Sequence, residues 1–209
     1  MKLVVHEFLT IDGVMQGPGG PEEDRSGGFD RGGWLIPYAD EDMGAIVAGW
    51  FDTADAILLG RNTYEAMHPY WSQVSDPDNT VAVVLNGHTK YVATSRPDEL
   101  TWEHSERLEG DVIDAVKRLL ERPGGELQVH GSAELASTLH AAGLVDAYRL
   151  LRFPVCVGAG KRLFGDQAPP TGFSVTASRT TGAGATYTEL APTAFNTGTA
   201  EVVDGSEVV

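Results

Sequence analysis

Several of the usual carriers of function are scarce in this chain. Its 209 residues include one cysteine, Cys156, so no internal disulfide can form and a reducing cytoplasm is the expected setting. Cys156 lies between Val155 and Val157, where a small buried apolar residue is expected rather than a nucleophile. The six histidines occur singly, with no His-x-x-x-His and no Cys-x-x-Cys pair, so metal binding has no support. Basic residues are few: 15 Lys and Arg against 30 Asp and Glu, a net charge of −15. Lacking a basic stripe, the chain is not expected to bind nucleic acid. A few placed arginines and helix amides would still suffice for an anionic cofactor. No run approaches the roughly 18 apolar residues of a membrane span. The start, MKLVVHEFLT, passes straight into a strand pattern instead of reading as a signal peptide. No G-x-S-x-G elbow is present, and Gly158-Ala159-Gly160 lacks the third glycine of a dinucleotide fingerprint.

The residues that are present organise themselves around Glu126–Phe164. Glu126–His130 reads as a strand, Gly131-Ser132 as a turn with Ser132 an N-cap, and Glu134 sits in the first helical turn. Leu135, Leu139 and Ala142 share one helix face, and Gly143 ends the helix. Ala147–Val157 reads as a second strand, with Pro154 at a bulge or an edge. Strand, helix and strand make a crossover, so the two strands are expected to be parallel neighbours. The amides at the helix start suit a phosphate or pyrophosphate, although an ordinary buried crossover fits the same pattern.

Elsewhere Lys2–Leu9 and Ala54–Leu59 read as buried strands, and Asp40–Thr53 as a helix with Asp40, Glu41 and Asp42 at its positive end. Asp12 leaves the first strand where such sheets bind ligands, or forms an Asx-turn. Gly17–Gly33 holds seven glycines and builds no core; it is a surface insertion or a loop over a site. Trp34–Tyr38 either packs over a planar ligand or anchors that loop. After Gly60, Arg61 offers a fork matched to phosphate, and Thr63 is expected to cap the next helix, which His68–Trp71 ends. Thr80–Leu85 and Lys90–Thr94 read as strands, the latter closed by Ser95-Arg96-Pro97. Leu100–His104 reads as a short strand and Asp111–Glu121 as a helix. Ser174–Thr181 and Ala185–Leu190 are expected to form an antiparallel edge hairpin. Residues 191–209 carry no periodicity and read as a flexible tail. A hydrophobic content of 42% and this length point to one domain, residues 1–190 with an insertion at 17–38.

Three motifs in order carry a resemblance: TIDGV at Thr10–Val14, GRNTYE at Gly60–Glu65, and HGSAEL, LVDAYRL and PVCVGAGKRLF between His130 and Phe164. Over about residues 1–190 the chain resembles the dihydrofolate reductase-like superfamily, in the branch of the riboflavin-pathway pyrimidine reductases. The resemblance implies an α/β three-layer fold with a central mixed, mostly parallel sheet, flanking helices and an antiparallel C-terminal hairpin. It also implies a homodimer that reduces a pyrimidine riboflavin precursor by hydride transfer from NADPH. A pterin, folate or other small carbonyl or imine is the alternative substrate, and a non-catalytic NADPH-binding module the alternative role. Asp12 becomes the catalytic candidate, orienting substrate or passing a proton through water. Gly131, Ser132, Ala133 and Glu134 would hold the pyrophosphate. Gly60, Arg61, Thr63, Thr94 and Ser95 would hold the adenosine side, while Trp34, Tyr64 and Gly158 would shape the substrate pocket. The chain departs from the pattern at His130, where those reductases tend to carry an acid. No zinc-cysteine deaminase segment is present in these residues.

Overall fold

In a computed structural model, residues 1–96, 100–203 and 206–208 are described, with side chains described through residue 200. Pro97 of the expected Ser-Arg-Pro closure, and Asp204, Gly205 and Val209 of the expected tail, lie outside the described residues. The strands are β1 (Lys2–Thr10), β2 (Ala54–Gly60), β3 (Thr89–Ala93), β4 (Ser105–Arg107), β5 (Glu126–His130), β6 (Ala147–Phe153), β7 (Gly172–Thr180), β8 (Thr186–Thr193), β9 (Glu201–Val203) and β10 (Ser206–Val208). The helices are α1 (Glu41–Phe51), α2 (Arg61–Trp71), α3 (Thr80–Gly87), α4 (Val112–Leu120) and α5 (Ala133–Ala141).

The main sheet runs β4-β3-β2-β5-β1-β6-β8-β7. Its first six strands are mutually parallel, and β8 and β7 close it antiparallel. The expected mixed α/β sheet with its antiparallel C-terminal hairpin is therefore what forms. Side-chain alternation splits the core into two layers. Leu3, Val5 and Leu9 of β1 join Leu127, Val129 and Tyr148 under α4 and α5. Ile57, Leu59, Leu151 and Phe153 face the opposite way, onto Ile46, Trp50 and Phe51 of α1 and Val84 and Leu85 of α3.

Several expectations are corrected. Thr80–Leu85, a β-branched run, is the helix α3: the Asn79 side chain caps it by accepting from Ala82 N at 3.0 Å, and Ala82, Val84 and Leu85 bury one face. Tertiary packing overrides the strand preference of valine. β5 and β6 are parallel but are not neighbours, because β1 runs between them. β6 stops at Phe153, since Pro154 has no amide to continue a ladder. Cys156 consequently lies beyond the strand and is exposed, not buried. Leu100–His104 is not a strand; Trp102 there is drawn into the core, its backbone N donating to Tyr64 Oη at 2.8 Å. The short strand begins after it, at Ser105.

The glycine-rich segment is more firmly seated than its composition implies. Phe29, Trp34 and Leu35 are buried, Trp34 Nε1 donates to Gln16 O at 2.8 Å, and Lys161 pairs with Asp24 at 2.7 Å. At the C-terminal end, β8 runs to Thr193, and β9 pairs with β10 inside the segment that shows no periodicity.

Candidate active site

Parallel strands present their C-terminal ends along one rim, and every candidate taken from the sequence except Trp34 lies on it or in the loop or helix that follows. β2 ends at Gly60 and β5 at His130, and each leads directly into a helix. α1, α3 and α4 begin with side-chain caps from Asp40, Asn79 and Asp111. α2 and α5 have no side-chain cap. Two helix starts on adjacent strands thus keep amides available to an anion.

These two starts touch. A Cβ at Gly60 would overlap Ser132 Oγ, and one at Gly131 would lie 2.8 Å from Thr63 Cγ2. Glycine is needed at both positions for the two turns to approach. Gly131 and Ser132 each hold φ of +70°, so the chain enters α5 through a left-handed turn. For Ser132 this conformation is strained, and it replaces the capping role expected of its hydroxyl. Thr63 lies inside α2, not at its cap, and Gly60 is the N-cap residue. Glu134 is exposed in the first turn of α5, where it complements the helix dipole.

On the β2–β3 side, Arg61 directs Nε and Nη2 at Glu65 Oε1, both at 2.7 Å, and donates from Nη1 to Arg96 O at 3.2 Å. Arg96 also reaches Glu65, at 3.4 Å. Thr94 Oγ1 accepts from Arg96 N at 3.0 Å, and Ser95 is exposed beside it. Two guanidinium groups, two hydroxyl residues and two uncapped helix starts form a donor set that fits the phosphates of a dinucleotide. An arriving phosphate would share or replace Glu65 as the acceptor for Arg61.

Asp12 stands at the end of β1. Its carboxylate accepts from Thr10 Oγ1 at 2.6 Å, Gly158 N at 2.8 Å and Val157 N at 3.2 Å, and Arg162 lies 3.6 Å away. Led by the Thr10 hydroxyl, these donors bring its pKa down to about 2. The group is ionised at neutral pH and joins the β1 loop to the loop after β6. Gly158, at φ +81°, takes part through its amide.

Trp34 and Tyr64 are core residues. Trp34 packs edge-on to Phe153 at 5.7 Å, and Tyr64 is 1% exposed, so neither ring lines an open surface. His130 is stacked between Phe51 and His6, at 4.5 and 4.8 Å. Burial holds its pKa down to about 3, leaving a neutral imidazole at the position where the resemblance implies an acid. Asp42 accepts from Gly182 N at 2.9 Å, which ties α1 to the β7–β8 turn, and the buried face of α1 carries Ile46, Trp50 and Phe51. Two groups escaped the sequence reading. Glu7 is buried in the middle of β1; the available signal was an acid inside a strand patterned for burial on both faces. Arg149 of β6 reaches Glu126, Glu189 and His6, which nothing in its local sequence announces.

Among the described residues no cluster of possible metal ligands occurs, and no helix is long and apolar enough to cross a membrane. The chain is similar to the uncharacterized protein YyaP of Bacillus subtilis (strain 168), 28% identical over 79% of this chain and 81% of that one. In fold it is similar to a diaminohydroxyphosphoribosylaminopyrimidine deaminase/5-amino-6-(5-phosphoribosylamino)uracil reductase from Thermotoga maritima. There the TM-score is 0.61 at 15% identity, covering 92% of this chain and 56% of that one. Dihydrofolate reductase from Enterococcus faecalis, solved with NADP(H), gives a TM-score of 0.59 at 13% identity over 91% and 96% of the two chains. The model of the RibD C-terminal domain matches residues 1–187, nearly the whole of the ordered sheet and its helices, and the chain belongs to that family.

Proposed function

We propose that the protein is an NADPH-dependent reductase of a small pyrimidine of the riboflavin-precursor kind, converting a ribosylamino to a ribitylamino group. Membership of the RibD C-terminal domain family supports the reductase class. The observation that carries the cofactor reading is the meeting of the two uncapped helix starts at Gly60 and Ser132. In this reading Gly131, Ser132 and Ala133 hold the pyrophosphate, with Glu134 flanking it. Gly60, Arg61, Thr63, Thr94 and Ser95 hold the adenosine phosphate side. When bound, NADPH supplies the hydride; the protein's work is to position donor and acceptor and exclude water. Asp12 fixes the loop of Gly158 against the end of β1, so it acts by orienting the substrate side of the rim. Trp34 and Tyr64 support that rim from beneath. A pterin is the weaker reading: the resemblance implies a pterin-binding carboxylate on the helix that corresponds to α1, whereas Asp42 is turned toward Gly182 and α1 buries only apolar residues. The reading includes residues 1–190 as the reductase domain, 191–209 as a tail and a homodimer. The exposed edge strand β7 supports the dimer.

The test is a titration with NADPH and NADH followed by quenching of the four tryptophans. NADPH is expected to bind at least about tenfold more tightly, a difference of about 1.4 kcal/mol. Arg61→Ala is expected to remove most of that preference. A protein that binds neither nucleotide is not this reductase, and an Arg61→Ala protein that discriminates fully removes Arg61 from the phosphate site.

A further inference from the structure

Glu7 is an acid where the fold has no need of one. It sits in the middle of β1, and by alternation its side chain shares the α5 face with Leu3, Val5 and Leu9. It is 5% exposed, and its Oε1 has no hydrogen-bond partner. Burial pushes its pKa well above the usual carboxylate range, outweighing an opposing hydrogen bond from the Gly131 backbone. The titratable groups around it do not compensate. Tyr148 of β6 is engaged with His140 of α5 at 2.7 Å, Glu134 of α5 is exposed, and His6 and His130 stack on the opposite face. A buried carboxyl with an unpartnered oxygen lowers stability, so a sequence selected for stability alone would carry an apolar residue here.

Its location supplies the reason. Gly131 opens the left-handed turn from which α5 starts without a side-chain cap, and Glu7 stands next to that turn, since His6 before it pairs with His130. We propose that Glu7 is the floor of the phosphate subsite, its unpartnered carboxyl oxygen turned toward a phosphate oxygen seated on the Gly131–Ser132 turn. An ionised carboxylate would repel the phosphate; a protonated one, the form that burial favours, adds a donor to the subsite. The inference rests on reading this rim as the cofactor site and adds to it a residue that acts from inside the sheet.

The experiment is calorimetric titration of the intact chain with NADPH and, separately, inorganic pyrophosphate, alongside thermal unfolding, for wild type, Glu7→Gln and Glu7→Met. Glu7→Met is expected to bind both ligands about tenfold more weakly, the loss of one hydrogen bond to a charged group. It is also expected to melt no lower than wild type, because an unpartnered buried polar group has been removed. Glu7→Gln keeps a neutral donor and is expected to stay within about threefold of wild type. A merely structural role would lower the melting temperature of Glu7→Met and leave affinity alone. Wild-type affinity in a folded Glu7→Met protein overturns the inference and leaves the cofactor reading intact. If Glu7→Met fails to fold, Glu7→Leu takes its place: a tenfold loss in the folded protein upholds the role and wild-type affinity ends it. A wild-type protein that binds neither ligand overturns the cofactor reading and this inference with it.

Discussion

Asp12 and Glu7 lie five residues apart on β1 and its exit, yet their surroundings drive their pKa values in opposite directions. Asp12 has donors on both oxygens and a pKa of about 2. A carboxylate whose folded-state pKa is depressed stabilises the native state above its ordinary pKa, and that contribution disappears as pH falls through the depressed value. Urea unfolding of wild type and Asp12→Asn is therefore expected to differ most at neutral pH, with wild type the more stable. The gap should close as pH falls from about 4 toward 2. An unchanged gap across that range would show that the Asp12 charge is not what holds the Val157–Gly158 amides. Asp12 was legible in the sequence because it follows a strand in a Thr-x-Asp-Gly turn. Its saturation was not, because two of its donors come from residues 145 and 146 positions away.

The element scale shows where local pattern misleads. Thr80–Leu85 has the composition of a strand, yet one N-cap from Asn79 and one buried face make it α3. Gly131-Ser132 reads as an N-cap, yet the structure uses it as a left-handed turn that opens the start of α5. The packing of that turn against Gly60 yields a prediction. Gly60→Ala places a methyl group onto Ser132 Oγ, and the resulting overpacking is expected to destabilise the protein by about 1–3 kcal/mol. Adding Ser132→Gly removes the obstructing hydroxymethyl and relieves the positive φ, so the double variant is expected to recover most of the loss. Denaturant midpoints for the two single variants and the double close the cycle. Additive losses would mean that the two helix starts are not in contact.

At the scale of the whole molecule, charge ties together the strands on either side of β1. Arg149 on β6 reaches Glu126 on β5 at 2.8 Å and Glu189 on β8 at 3.1 Å, spanning β1, which lies between β5 and β6. All three side chains are less than one-third exposed. Removing the arginine leaves two carboxylates together with no shared cation. Arg149→Ala is accordingly expected to cost about 2–3 kcal/mol, below the full value for a deeply buried pair because the glutamates keep some contact with water. Equilibrium unfolding at neutral pH measures it. A loss under about 0.5 kcal/mol would place this network with ordinary surface pairs.

Among the described residues, the sequence by itself determined the α/β class, seven of the eight strands of the main sheet and four of the five α-helices. Apolar periodicity, glycine turns and capping side chains are local, and they act before any long-range contact forms. It did not determine that β1 would separate β5 from β6, that a valine-rich run would become α3, or that Trp34 and Tyr64 would be consumed by the core. Strand order and burial are decided by which apolar faces meet, and two segments far apart in sequence carry no local record of that meeting. The ionisation states at the rim belong to the same category. An aspartate and a glutamate of similar intrinsic acidity became an ionised clamp and a buried acid with a raised pKa, because tertiary structure surrounded one with donors and took the other out of water.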